Sequence, residues 1–217
     1  MTDLHWTKPD SKPTATLLLA HGAGAAMDSP FMNKIADKLA AEGIAVVRFE
    51  FTYMAQRREG GSKRPPPKAD KLVGEYQTAL KQLMGITEGP LLIGGKSMGG
   101  RVAAMVAGNQ TPPGRLKGVV CLGYPFHATG KTEGDWRLGP LEASNRRILI
   151  LQGERDPFGS QVELDALSLP TAVELHYLED GNHDFAPRGR SPATMDSNLG
   201  AAAKHIAAFA KTVVKPA

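Results

Sequence analysis

Cysteine is nearly absent: Cys121 is the only one in 217 residues. A lone thiol forms neither an intramolecular disulfide nor a thiolate metal cluster, so the fold must rest on its core. A chain of this length buries roughly 70% of the surface it exposes when unfolded. That is enough for one domain spanning residues 1–217, the organisation expected here. Long apolar runs are also missing. No stretch of about 18 apolar residues exists to cross a bilayer. The polar start, residues 1–16 with Pro9 and Pro13, predicts no secretory leader and hence a cytoplasmic protein. Acidic residues fall short of basic ones by four, 22 against 26. The shortfall is local. Residues 57–68 hold Arg57, Arg58, Lys63, Arg64 and Lys68 against Glu59 alone, which accounts for the whole net charge of +4. A dispersed basic face for nucleic acid is therefore not expected. Hydrophobic residues at 41% and charged residues at 22% exclude a disordered chain.

What is present is an alternation of short apolar runs with longer amphipathic ones. Residues 16–20, 44–49, 90–94, 117–123, 147–151 and 172–178 read as strands. Helices are predicted from Pro30 with Ser29 as cap and Gly43 as stop, and over 69–84, 98–107 and 198–214. Residues 50–68 and 124–146 show no period and read as irregular. About six strands that are continuously apolar, separated by helices, imply an α/β fold: a mostly parallel sheet covered on both faces.

Sites in such sheets gather beyond the carboxyl ends of the strands. Gly95-Lys96-Ser97-Met98-Gly99 follows the strand Leu91-Leu92-Ile93 and precedes an apolar helix. This is the G-x-S-x-G elbow, in which a sharp strand-to-helix turn lifts the serine hydroxyl clear of the sheet. Small residues are needed two positions to either side because side chains there would collide. Asp156, after the strand 147–151, is the chosen carboxylate to orient an imidazole, with Glu154 as its competitor. His183, in Asp180-Gly181-Asn182-His183-Asp184-Phe185, is the candidate general base. His176 and His205 fall inside a strand and a helix and read as structural, and His5 lies in the irregular start. The loop His21-Gly22-Ala23-Gly24 can aim backbone N–H groups at a carbonyl oxygen. The Ala23 and Met98 amides are the expected oxyanion hole, and His21 is expected to brace the loop. His127, Phe126 and Trp136 are candidates to line the substrate pocket, and Cys121 reads as core.

The order serine, acid, histidine is the α/β-hydrolase order. On these stretches, together with Gly153-Glu154-Arg155-Asp156-Pro157-Phe158-Gly159, the sequence resembles the small lidless bacterial α/β hydrolases of the dienelactone-hydrolase-like and carboxylesterase-like group. The likeness spans residues 16–214. It implies a serine hydrolase of carboxylic esters or thioesters of small to medium soluble acyl groups, with neither organic cofactor nor metal, acting as monomer or homodimer. It also implies a central serine strand and no cap domain, since only residues 124–146 separate the strands where larger relatives insert one. The antiparallel strands that usually begin the fold are expected to be missing or much shortened. Dienelactone hydrolases proper use a cysteine nucleophile where this chain has Ser97, which argues against that particular activity. The rival reading is a non-catalytic scaffold that binds a partner through the basic loop 57–68.

Overall fold

A computed structural model of the chain describes residues 2–58, 60, 65–108, 113–130 and 136–214. Seven strands form one sheet: β1 (His5–Thr7), β2 (Ala15–Ala20), β3 (Ile44–Phe49), β4 (Leu91–Lys96), β5 (Leu116–Leu122), β6 (Ile148–Gly153) and β7 (Val173–Leu178). Their order is β1-β3-β2-β4-β5-β6-β7. All neighbours are parallel except β1, which pairs antiparallel with β3 through His5↔Arg48 and Thr7↔Val46. The sheet thus has one strand beyond the six expected. His5 is not in an irregular start but in this three-residue edge strand, the shortened remnant that the resemblance implies. A three-residue segment carries no periodicity, so nothing local marks it.

The helices are α1 (Pro30–Ala41), α2 (Thr52–Arg58), α3 (Val73–Ile86), α4 (Met98–Gly108), α5 (Gly139–Glu142), α6 (Gln161–Leu164) and α7 (Met195–Val214). The inner strands β2 to β6 are buried on both faces because their alternate side chains enter two different cores, while the edge strands β1 and β7 stay partly exposed. Leu18 and Ala20 of β2 join Tyr76 and Leu80 of α3 and Val102 and Val106 of α4. Leu17 and Leu19 join Phe31 and Ile35 of α1 and Leu199 and Ile206 of α7. Each fully buried Leu or Ile contributes about 1.5–3 kcal/mol. The sheet is therefore the rigid platform on which the strand-end loops sit.

Two local expectations are corrected. Residues 52–58 are helical, not irregular. Tertiary contacts supply what the sequence pattern lacks: the Arg58 guanidinium bonds both Asp28 carboxylate oxygens at 3.0 and 2.6 Å and Glu50 at 2.6 and 2.7 Å, holding α2 against the segment that leads into α1 and the end of β3. Ser29 occupies the N-cap position of α1, yet its side chain makes no capping bond. Pro30 presets the first turn, and the Ser29 hydroxyl is buried without a hydrogen-bond partner among the described residues. The helix expected over 69–84 opens as a 3₁₀ turn (Ala69–Leu72) before α3.

Candidate active site

The β4 strand ends at Lys96 and α4 begins at Met98, which leaves Ser97 alone at the turn with φ +51°. A non-glycine residue there is strained by roughly 1–3 kcal/mol. The flanking glycines are what permit the turn. A Cβ on Gly95 would lie 2.6 Å from the Gly100 nitrogen and 2.8 Å from the Ala20 oxygen, and one on Gly99 would lie 2.6 Å from the His21 oxygen. No side chain fits either position.

At the end of β6, the turn Gly153–Asp156 carries Asp156 into full burial. Its Oδ1 accepts the Phe158 N–H at 2.9 Å and its Oδ2 faces His183 Nδ1 at 2.8 Å. Glu154, the competitor, is committed elsewhere: its Oε2 accepts the Asp180 N–H at 2.6 Å. With Nδ1–H donated to Asp156, Nε2 is the nitrogen left to accept a proton. The imidazole packs on the Phe158 ring, centroids 4.5 Å apart. Beneath it lies Gly123 (φ +65°), where a Cβ would come within 3.2 Å of Nδ1. Gly123 is a requirement that the sequence pattern did not reveal.

The histidine loop is itself held. Asp180 sits at φ +47°, and its side chain bonds Arg155 Nε at 2.8 Å, Arg188 Nε at 2.8 Å and the Arg188 N–H at 2.7 Å. Asn182 Oδ1 accepts the Asp184 and Ala186 N–H groups.

Ser97 and His183 line one cavity of about 360 Å³. Its walls include the loop Gly22–Ala25, Phe31 and Met32 from α1, Phe158, and the pair Lys96 and Asp184. Hollows of about 490 and 610 Å³ open elsewhere on the surface, but neither is lined by a histidine. Met98 is the first residue of α4, so its N–H is one of the helix's unpaired donors and lies at the positive end of the dipole. Ala23 is on the wall of the same cavity as Ser97. His21 is fully buried. Its Nδ1 bonds the Gly22 oxygen at 2.6 Å and its Nε2 accepts the Phe51 N–H at 3.2 Å, a bracing role. Burial lowers its pKa below the usual histidine value.

The three candidate pocket residues are not on this cavity. Phe126 is fully buried against Tyr124 and Gly159, and His127 is buried with Nδ1 on the Ala128 oxygen. Trp136 packs its ring edge on His127, centroids 4.8 Å apart. Phe126 belongs to the core, Trp136 is partly buried against it, and the His127 N–H bonds the Phe158 oxygen at 3.2 Å, so these residues back the cavity wall without lining it. The walls instead come from Phe31, Met32 and Phe158, residues that read as helical stripe or turn filler. Lys96 was in plain view as the second residue of G-x-S-x-G. Its side chain is 8% exposed, its Nζ lies 3.2 Å from Asp184 Oδ1 and 5.4 Å from the Phe31 ring centroid, and burial lowers its pKa, with Asp184 opposing.

Of the basic segment 57–68, residues 59 and 61–64 lie outside the described residues. Arg57 stands over the Tyr53 ring at 5.3 Å and Arg58 is engaged with Asp28 and Glu50. No group of three metal-ligating side chains occurs among the described residues, and no helix is long and apolar enough to cross a membrane.

A family profile described as an alpha/beta hydrolase domain matches residues 13–211. The chain belongs to that family. Among solved structures, it is similar to a Xanthomonas campestris protein described as an a/b serine hydrolase without lid, at 20% identity and TM-score 0.70, covering 96% of this chain and 89% of that one. It is also similar to a dienelactone hydrolase from Anabaena variabilis, at 20% identity and TM-score 0.69, covering 99% and 93%. An esterase domain from Rhodothermus marinus matches at 19% identity and TM-score 0.67, covering 97% and 92%. At these identities the likeness is one of fold, and the fold has no cap domain.

Proposed function

We propose that this α/β-hydrolase-family chain is a single-domain serine hydrolase that cleaves carboxylic esters or thioesters of small to medium soluble acyl groups through an acyl-enzyme. Ser97 Oγ attacks the carbonyl carbon while His183 Nε2 takes its proton. Asp156 holds the imidazole in the required tautomer and stabilises the imidazolium that forms. The Ala23 and Met98 N–H groups receive the oxyanion. His183 then returns the proton to the leaving group, and a water repeats the sequence on the acyl-enzyme to release the acid. No metal or cofactor takes part in these steps.

The observation that carries the reading is the 2.8 Å pairing of His183 with the fully buried Asp156, on the same small cavity as a serine held at φ +51°. The cavity volume and its walls favour short acyl groups. The family's hydrolase descriptions agree with the chemistry. Ser97→Ala is the test: kcat on p-nitrophenyl acetate should fall by about 10⁴–10⁶, and fluorophosphonate labelling of the folded protein should disappear. Wild-type turnover in that variant refutes the assignment. His183 must be unprotonated to act as base, so kcat/KM should also fall on acidification.

A further inference from the structure

The loop that supplies the Ala23 N–H has no regular hydrogen-bonding partner strand, so something else must fix its peptide planes. Two consecutive carbonyls of that loop converge on a single hydroxyl: Tyr53 Oη lies 3.3 Å from the Gly22 oxygen and 3.1 Å from the Ala23 oxygen. The Gly22 oxygen is held a second time by His21 Nδ1 at 2.6 Å. Every peptide bond among the described residues is trans, and in a trans peptide the N–H points opposite to the C=O. The Gly22–Ala23 and Ala23–Gly24 planes therefore turn both carbonyls toward Tyr53 and both N–H groups the other way. Ala23 and Gly24 line the cavity together with Ser97, which makes it the hollow these N–H groups can serve. Two successive N–H groups facing the same hollow make a small anion-binding nest.

We propose that Tyr53 is a positioning residue that sets this nest, Ala23 N–H and Gly24 N–H, for the oxyanion, although it touches no reacting atom. The proposal rests on the hydrolase reading above and adds to it a residue from α2 and a second loop donor. Three observations keep the hydroxyl in place. The Tyr53 ring stacks on Phe51, centroids 6.4 Å apart with planes at 15°, and meets the His21 ring at 5.8 Å. The Arg57 guanidinium covers its face at 5.3 Å. The Arg58 pairs to Asp28 and Glu50 anchor the helix that carries it. Burial pushes the phenol up to about 12, so it remains a donor across the working pH range. Tyr53 thereby gives a purpose to the helix found where irregular chain was expected.

Tyr53→Phe removes the hydroxyl and keeps the ring. Loss of an oxyanion donor itself costs about 10²–10³ in kcat. Loss of a group that only aims the donors should cost less, on the order of tenfold in kcat on p-nitrophenyl acetate, with KM within about twofold. Affinity for a small boronic acid, which mimics the tetrahedral anion on Ser97, should fall by a similar factor, read by isothermal titration calorimetry. The melting temperature should move by no more than about 5 °C. A kcat and boronate affinity within twofold of wild type overturn the proposal. So does a loss of kcat accompanied by a raised KM and a larger drop in melting temperature, because that pattern marks general support of α2. If the wild-type protein itself neither hydrolyses the ester nor binds the boronate, the hydrolase reading fails. If the wild type does both and Tyr53→Phe matches it, the positioning role alone fails.

Discussion

Replacing Asp156 by asparagine tests the arrangement at its most constrained point. The side chain is fully buried, and each oxygen serves one donor: Oδ1 the Phe158 N–H at 2.9 Å, Oδ2 the His183 Nδ1–H at 2.8 Å. An amide has one acceptor oxygen and one donor NH₂. If the oxygen stays on Phe158, the NH₂ faces His183 and forces Nδ1 to become an acceptor. The proton then moves to Nε2, which can no longer take one from Ser97. If the amide flips, its NH₂ opposes the Phe158 N–H and leaves two buried donors face to face, at about 1–3 kcal/mol. The first arrangement is the less costly, so the variant should fold and be inactive. The same exchange in the serine-protease triad costs about 10⁴ in kcat, which converts to about 5 kcal/mol of transition-state stabilisation. A loss of 10³–10⁵ in kcat on p-nitrophenyl acetate, with near-native circular dichroism and a modest drop in melting temperature, is the expected result. Turnover within tenfold of wild type would refute the reasoning, since it would mean that the imidazole does not depend on this carboxylate for its tautomer.

Two other outcomes follow from charges around the site. Arg188 beside Asp180 holds its carboxyl at about 2, below the ordinary 3.8. A carboxylate depressed in this way stabilises the fold above its unfolded value, and the contribution is lost as pH falls from about 4 toward 2. Asp180→Asn should therefore lower the melting temperature at neutral pH and flatten its decline over that acid window; identical acid limbs for the two proteins would contradict this. Lys96 is an almost fully buried ammonium whose counter-ion, Asp184, has a side chain 64% exposed. An exposed partner offsets little of the desolvation, so Lys96→Met should leave thermal stability unchanged or raised, and a loss above about 3 kcal/mol in urea denaturation would count against it.

The parts of this protein that were legible in the sequence are those whose cause is local. Apolar runs such as Leu17–Leu19 and Leu149–Leu151 read as buried strands because both faces are covered, and the glycines around Ser97 read as an elbow because only they fit. The order of Ser97, Asp156 and His183 carries their grouping, since each follows a strand of one parallel sheet. The parts that were not legible are set by contacts between distant segments. The helix Thr52–Arg58 depends on Asp28 and Glu50, not on its own pattern. Gly123 owes its role to an imidazole sixty residues away in sequence. Phe126 and Trp136 pack in the core behind the turn that carries Asp156 and Phe158 and not on the cavity wall, a distinction that only tertiary packing decides. The cavity walls from Phe31 and Met32 belong to a helix whose stripe looks the same whether it faces core or substrate.

Cys121 lies in the middle of the sheet, on β5 between β4 and β6, fully buried, with burial pushing its thiol pKa up. A thiol so placed is inert while the sheet stays closed, because the thiolate is the reactive form and reagent cannot reach it. Its alkylation rate by a small maleimide is therefore a clock for opening of the strand next to the serine strand. With no second cysteine to confuse the signal, unmodified protein carries its own reporter of how often the platform beneath the serine comes apart, and oxidants that spare the surface leave that platform untouched.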